Sequence, residues 1–337
     1  MATNDAWLAL TTEETLQPEL VICDPHHHLW TNRTERVAPH YLLDEMLADI
    51  NSGHNVVSTV FIECGAMHKA DGPEAMKPVG ETEFVNGIAA MSASGGFGPA
   101  RVAAGIISHV NLTLGDAVAP VLEAHFQAGG GRFRGIRHGA SWHASEDVPN
   151  HRSNPPQSLY LNESVRKGIA QLEKFGLSFE AWCYHTQISE LMDLARAFPG
   201  TTIILNHFGG PLGIGPYAGK ADEVFQQWRK DLAELAKCEN VMAKLGGINM
   251  VENGFDWHKQ PKPPASEQLM QATRRYYEFT IEAFGVDRCM FESNFPVDMV
   301  TCGYNILWNS FKRLTAGYSD GEKAKLFHDT AVRVYRL

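Results

Sequence analysis

The sequence predicts an α/β fold: one parallel (β/α)8 TIM-like barrel over residues 20–337, preceded by an N-terminal arm over residues 1–19. Three observations predict it. Eight short apolar runs alternate with longer segments of helical period, as in repeated β/α units. Long Gly/Pro-containing segments follow the strands and not the helices, where a barrel carries the loops that roof its active site. The ends of the apolar runs are polar almost throughout. An open doubly wound sheet shares the alternation, but no Gly-x-Gly-x-x-Gly follows the first run, which leads into histidines instead.

In chain order the predicted strands are Val21–Asp24, Val56–Glu63, Val102–His109, Phe133–His138, Leu177–Cys183, Thr202–Asn206, Val241–Leu245 and Arg288–Glu292. The clearest helix is Gln187–Phe198, where Ile188, Leu191, Met192, Ala195 and Phe198 make one apolar stripe before Pro199-Gly200 stops it. Leu161, Val165, Ile169 and Leu172 make a second stripe, and Val224, Phe225, Trp228, Leu232 and Leu235 a third. The roofing loops are Gly65–Gly80, Gly139–Ser158, Phe208–Gly219 and Gly247–Ser266. The arm is expected to pack on a neighbour or on the bottom of the barrel.

Composition narrows the function classes. A chain of 337 residues, 44% hydrophobic and 20% charged, has the apolar content for a large core. A net charge of -10 without a run of five basic residues points away from nucleic acid and anionic membrane as partners. No stretch has the apolar length of a membrane span, and Met1 to Asp5 lacks the regions of a signal peptide, so the expected compartment is the cytoplasm. The six scattered cysteines read as buried free thiols. The expected partner is a small, anionic molecule; a homo-oligomer is compatible with the sequence.

The strand ends carry the candidate site. His26 and His28 follow strand one, Glu63 ends strand two, His109 strand three, and Arg134, Arg137 and His138 lie on strand four. Strand five leads to Trp182, Tyr184 and His185, strand six to His207, strand seven to Lys244, and strand eight to Glu292 and Asn294. In extended backbone, residues two apart share a side, so His26 and His28 face the axis while His27 points away. Two imidazoles so placed can ligate a divalent metal or hold a substrate carboxylate and a water.

The run Asp24-Pro25-His26-His27-His28-Leu29-Trp30 resembles the strand-one signature of the amidohydrolase superfamily, of the "amidohydrolase 2" type. Phe133-Arg134-Gly135-Ile136-Arg137-His138, Trp182-Cys183-Tyr184-His185-Thr186-Gln187, Leu205-Asn206-His207-Phe208-Gly209-Gly210-Pro211 and Phe291-Glu292-Ser293-Asn294-Phe295-Pro296 follow in order. Together they are similar to the branch that holds sugar-acid lactonases and the pyrone-dicarboxylate lactonase. The resemblance implies a deformed barrel that hydrolyses esters, lactones or amides. It also implies Arg134 and Arg137 as carboxylate-binding groups, for which a guanidinium fork is the matching shape.

Asn294 stands where the superfamily normally has the aspartate that activates water and often ligates metal, and an amide is poor at both. Glu292, Asp298, His185 or His207 then takes the proton. With the aspartate missing, no cofactor is favoured; the alternative is one divalent metal such as Zn2+ on His26, His28 and His185. The expected activity is opening of a lactone or related cyclic ester. In that reading His26, His28 and His185 polarise the carbonyl, while Trp182, Tyr184 and Glu63 line the substrate. A metal-dependent non-oxidative decarboxylase and a binding protein that kept the pocket are the alternatives.

Overall fold

Val, Ile, Phe and Leu dominate the eight apolar runs, and these side chains suit strands buried on both faces. In the computed structural model, which describes residues 4–337, the strands are β1 Val21–His27, β2 Asn55–Ile62, β3 Arg101–His109, β4 Phe133–Arg137, β5 Ser178–Ala181, β6 Ile203–Leu205, β7 Val241–Leu245 and β8 Cys289–Phe291. They form one eight-stranded parallel sheet in chain order. Closure between β8 and β1 falls just beyond β8: Phe295 bridges His27, His28 N donates to Phe295 O at 2.8 Å and Asn294 N to His26 O at 3.0 Å. The fold is therefore a (β/α)8 barrel.

The helices run α1 Asp5–Leu8 in the arm, then α2 Leu43–Ile50, α3 Val79–Ala93, α4 Ala119–Ala128, α5 Glu163–Lys174, α6 Ile188–Ala197, α7 Ala221–Leu235 and α8 Ser266–Phe284 between strands. After β8 come α9 Tyr304–Leu314, α10 Asp320–Ala324 and α11 Thr330–Tyr335. The Leu161 stripe is corrected by one turn. The Asn162 side chain accepts from Ser164 N and Val165 N, so α5 starts after it and Leu161 stays exposed.

Two apolar layers follow from the period of two along each strand. Ile22, Phe61, Ile136, Phe179, Leu205 and Phe291 pack outward on the helices. Cys23, Val60, Ile62, Ile107, Ile204, Met242 and Met290 fill the interior, and Ala331 and Tyr335 of α11 plug it from below. All six cysteines are buried and unpaired.

Strands five, six and eight are shorter than expected, because the chain leaves the ladder to turn over the mouth. Strand one is longer, running on to His27. Its register against β2 slips between Asp24 and His27, a bulge at Pro25, which has no N–H to give the ladder. Without the slip Cys23 and His27 would share the interior face; with it His26 does.

The arm packs on the barrel's flank. Glu13 accepts from Ser266 N at 2.8 Å, Lys312 Nζ donates to Leu16 O and Gln17 O, and Trp7 Nε1 donates to Gln260 O in the loop after β7. Residues 1–3 of the predicted arm lie outside the described residues. Among the described residues no helix is long and apolar enough to cross a membrane.

Candidate active site

Where the strands end, a cavity of about 260 Å³ opens at the carboxyl end of the barrel. His28, Arg137, Trp182, Tyr184, His207 and Asn294 line it from strand ends. Arg33, Arg36, Arg152 and Glu252 line it from loops, so four guanidinium groups face one carboxylate in a chain whose net charge is -10. Such a mouth concentrates anions. Arg137 is held in place from behind: Nε donates to Glu63 Oε1 at 2.7 Å and Nη2 to Glu63 O at 2.6 Å. The other carboxylate oxygen of Glu63 pairs with Arg152. Arg137 Nη1 has only long contacts, 3.4 Å to His26 Nε2 and 3.5 Å to Asn206 Oδ1, and is the arm of the fork left for a ligand.

Beneath the cavity lies a buried polar cluster. Glu292 reaches two rings, with His207 Nδ1 at 2.7 Å from Oε1 and His26 Nδ1 at 2.6 Å from Oε2. The second contact is short but out of hydrogen-bond alignment, which leaves Oε2 without a hydrogen-bond partner. Lys244, 0% exposed, places Nζ 3.1 Å from Glu180 Oε2, 3.3 Å from His26 Nδ1 and 3.8 Å from Glu292 Oε2. Glu180 also accepts from Asn206 Nδ2 and from the Tyr335 hydroxyl of the plug. Gly247 lets the His207 ring in: a Cβ there would lie 2.0 Å from Nδ1.

The partners fix each ring's proton. His28 Nδ1 lies 2.8 Å from Ile62 O, an acceptor, so the proton is on Nδ1 and Nε2 offers a lone pair. Arg137 only donates, so His26 Nε2 accepts and its proton lies on Nδ1, toward the closer carboxylate rather than the more distant Lys244. Burial, then the charge of Lys244, holds His26 well below the usual imidazole range; burial, then Arg137, does the same for His28. Both rings are therefore neutral; the N–H of His28 is engaged by Ile62 O, and His26 keeps its Nδ1 beside Glu292 without an aligned hydrogen bond. In His207, Nδ1 faces Glu292, no hydrogen bond among the described residues engages Nε2, and the residue lines the cavity.

The sequence profile of the amidohydrolase family matches residues 23–337. The chain belongs to the amidohydrolase family. The uncharacterized protein y4mH of Sinorhizobium fredii (strain NBRC 101917 / NGR234) is 34% identical to this amidohydrolase over 337 residues, covering 95% of this chain and 99% of that protein. L-fucono-1,5-lactonase of Burkholderia multivorans (strain ATCC 17616 / 249) is 24% identical over 172 residues, 51% of this chain and 55% of that protein. A crystal structure of an amidohydrolase from Burkholderia multivorans with bound zinc superposes with a TM-score of 0.71 at 21% identity, covering 94% of this chain and 99% of that one, and shows the shared barrel.

Within this amidohydrolase the predicted residues separate into three groups. His28, Arg137, Trp182, Tyr184, His207 and Asn294 line the cavity. His26, Glu292 and Glu63 lie behind that lining, each fully buried. Two expectations are corrected. Arg134 is three residues from Arg137 and so on the opposite face, where its Nη1 donates to Gly131 O and its neighbours are Arg132 and Arg336. His185 is drawn into the loop after β6: Leu212 N donates to its Nδ1 and its ring packs edge-on against Tyr217 at 5.0 Å. The ligand set His26, His28 and His185 is therefore not brought together; the atoms that do converge, within 4.8 Å, belong to His26, His207 and Glu292. The expectation that His26 and His28 donate to a carbonyl is corrected as well, since neither presents an N–H to the cavity.

Asp298 sits behind Asn294, accepting from its Nδ2 at 3.0 Å, and burial holds its carboxyl well above the usual carboxylate range. It does not line the cavity. Sequence reasoning missed Glu180 and the loop arginines 33, 36 and 152; Glu180 alone carried a signal, as a single charge inside the apolar run Leu177–Cys183.

The converging trio has the donor types of a three-ligand zinc site. Its spacing does not fit one: ligand atoms on tetrahedral bonds of about 2.0–2.1 Å stand roughly 3.3 Å apart, whereas Glu292 stands 2.6 and 2.7 Å from the two rings. Lys244 is the second obstacle. Unit charges about 4 Å apart interact by about 4 kcal/mol at an effective dielectric of about 20, and a divalent ion doubles the repulsion from an ammonium.

Proposed function

We propose that this amidohydrolase opens a lactone or related cyclic ester bearing a carboxylate or several hydroxyls, without a metal. The observation that carries the reading is the Glu292–His207 pair, bonded at 2.7 Å, whose histidine lines a cavity ringed by arginines with no hydrogen bond on Nε2 among the described residues. His207 Nε2 takes a proton from water as its oxygen bonds to the ester carbon, and buried Glu292 stabilises the imidazolium. Arg137 Nη1 meets the oxygen that becomes negative; Arg33, Arg36 and Arg152 hold the substrate's anionic or hydroxylated end. Collapse breaks the ring C–O bond, and His207 returns its proton to the departing oxygen. A positioned base of this kind contributes about 10²–10⁴-fold, and one oxyanion donor about 10²–10³-fold. The lactonase relative supports the ester class, and Lys244 beside the cluster supports the metal-free course.

The test is acid release in a pH-stat over a panel of sugar-acid lactones and pyrone carboxylates, with EDTA or with added zinc. Expected is turnover that survives EDTA and falls about 10²–10⁴-fold in kcat in His207→Gln. Turnover that appears only with zinc would end the metal-free reading. Release of carbon dioxide without acid would assign a lyase, and no turnover under either condition would assign a binding protein.

A further inference from the structure

Lys244 is used by no step of that chemistry, yet it is the most enclosed cation of the barrel, fully buried between two carboxylates. Buried ammonium groups are expensive and persist where a fixed counter-charge is needed. Here the need is visible. Glu180 of β5 and Glu292 at the end of β8 approach a single ammonium, that of Lys244 on β7, and Glu292 Oε2 has no hydrogen-bond partner of its own. Two imidazole nitrogens lie on the same carboxylate. Two imidazoles and a carboxylate are a borderline dication's ligand set, unlike the all-oxygen sets of Mg2+ and Ca2+.

We propose that Lys244 is the built-in replacement for a zinc-type dication at the His26–His207–Glu292 cluster, and that taking its ammonium away converts the cluster into a divalent-metal site. The inference rests on the metal-free reading above but concerns binding, so it is measured apart from turnover. With Lys244 in place the cluster is neutralised and blocked. Without it, Oε2 becomes a free ligand atom, the repulsion between ammonium and dication is gone, and coordination needs the rings to part from Glu292 by roughly 0.6–0.7 Å, the difference between the contacts of 2.6 and 2.7 Å and the spacing of zinc ligands.

The experiment compares zinc content after loading and dialysis, and melting with zinc or EDTA, for the whole protein, Lys244→Met and Lys244→Met/Glu180→Gln. The double variant removes the second buried charge and keeps the measurement available if the single variant does not fold. Expected are background zinc in the parent and about one zinc per chain in the variants, with a zinc-dependent rise in Tm of a few degrees. Adding His207→Gln should abolish both gains, which excludes surface histidines as the ligands. Stoichiometric, EDTA-resistant zinc in the parent would overturn the inference together with the metal-free reading. Zinc absent from parent and variants alike would overturn the inference alone.

Discussion

Asn294 occupies left-handed backbone, φ 57°, a conformation that asparagine and aspartate adopt more readily than other side chains. Either residue suits the backbone, so the choice between them is made by what the side chain meets. Nδ2 of Asn294 donates to Asp298 Oδ1 in a pocket where the two residues are 1% and 0% exposed. An aspartate at 294 would remove the amide donor and set a second buried carboxyl against one that burial already holds above the usual carboxylate range. One must keep a proton, and the folded pair then has a pKa above its unfolded value, near 3.9. A raised folded pKa makes the penalty greatest at high pH and relieves it as pH falls through the folded value. Asn294→Asp is therefore expected to lose about 3–5 kcal/mol at pH 8 and to recover part of it at pH 5, read from urea midpoints at both values. Equal stability of parent and variant at pH 8 would show that Asp298 tolerates a carboxylate there. The amide is thus matched to Asp298, in keeping with the proposed reaction, which takes its proton acceptor from the Glu292–His207 pair.

Among the elements, α11 has the least conspicuous sequence and a central position. Its Ala331 and Tyr335 close the floor of the barrel, and the Tyr335 hydroxyl donates to Glu180, which in turn faces Lys244. Tyr335→Phe removes the donor and leaves the ring. A hydrogen bond to a charged group contributes about 1.5–3 kcal/mol, so the urea midpoint should fall by that equivalent. A loss below about 0.5 kcal/mol, the usual scatter of neutral substitutions, would mean that the floor holds by packing alone. The eight strands were legible because each is an apolar run between polar ends, and so was the side of the barrel that carries chemistry. Facing was legible only where backbone is regular. Alternation separates His27 from its neighbours, and applied strictly it also separates Arg134 from Arg137, three residues apart; the strand-four motif alone suggested both. What stayed hidden depends on distant partners. Glu180 meets Tyr335 across 155 residues, and Arg152 reaches Glu63 from a loop with no period to read. The resemblance marked Glu292 and His207 separately, but only the fold shows that Glu292 joins two rings.

At the scale of the molecule, the histidines decide how the protein meets acid. Burial lowers His27, His138 and His151 to about 3, and His54, His125 and His185 to about 4. In the unfolded chain each takes a proton near pH 6.5. Between pH 6.5 and the folded values the unfolded state binds more protons, so stability rises with pH and is lost on acidification, by about 1.4 kcal/mol per pH unit for each fully buried histidine. Five carboxyls act in the other direction, for burial also raises Glu81, Glu190 and Asp298. Burial raises Asp24 to about 6 and Asp49 to about 7, so the folded state holds protons that the unfolded chain releases above about 4. The histidines outnumber them, and the net slope between pH 7 and pH 5 has their sign. Urea midpoints should therefore fall steadily over that interval, with His27→Gln flattening the slope by the share of one histidine. The substitution is informative because His27 bonds Thr59 at 2.9 Å on the outer face of β1 and does not line the cavity. A midpoint that is flat or rises from pH 7 to pH 5 would mean that the buried rings take up protons within the fold, and that the neutral states assigned to His26 and His28 need revision with them.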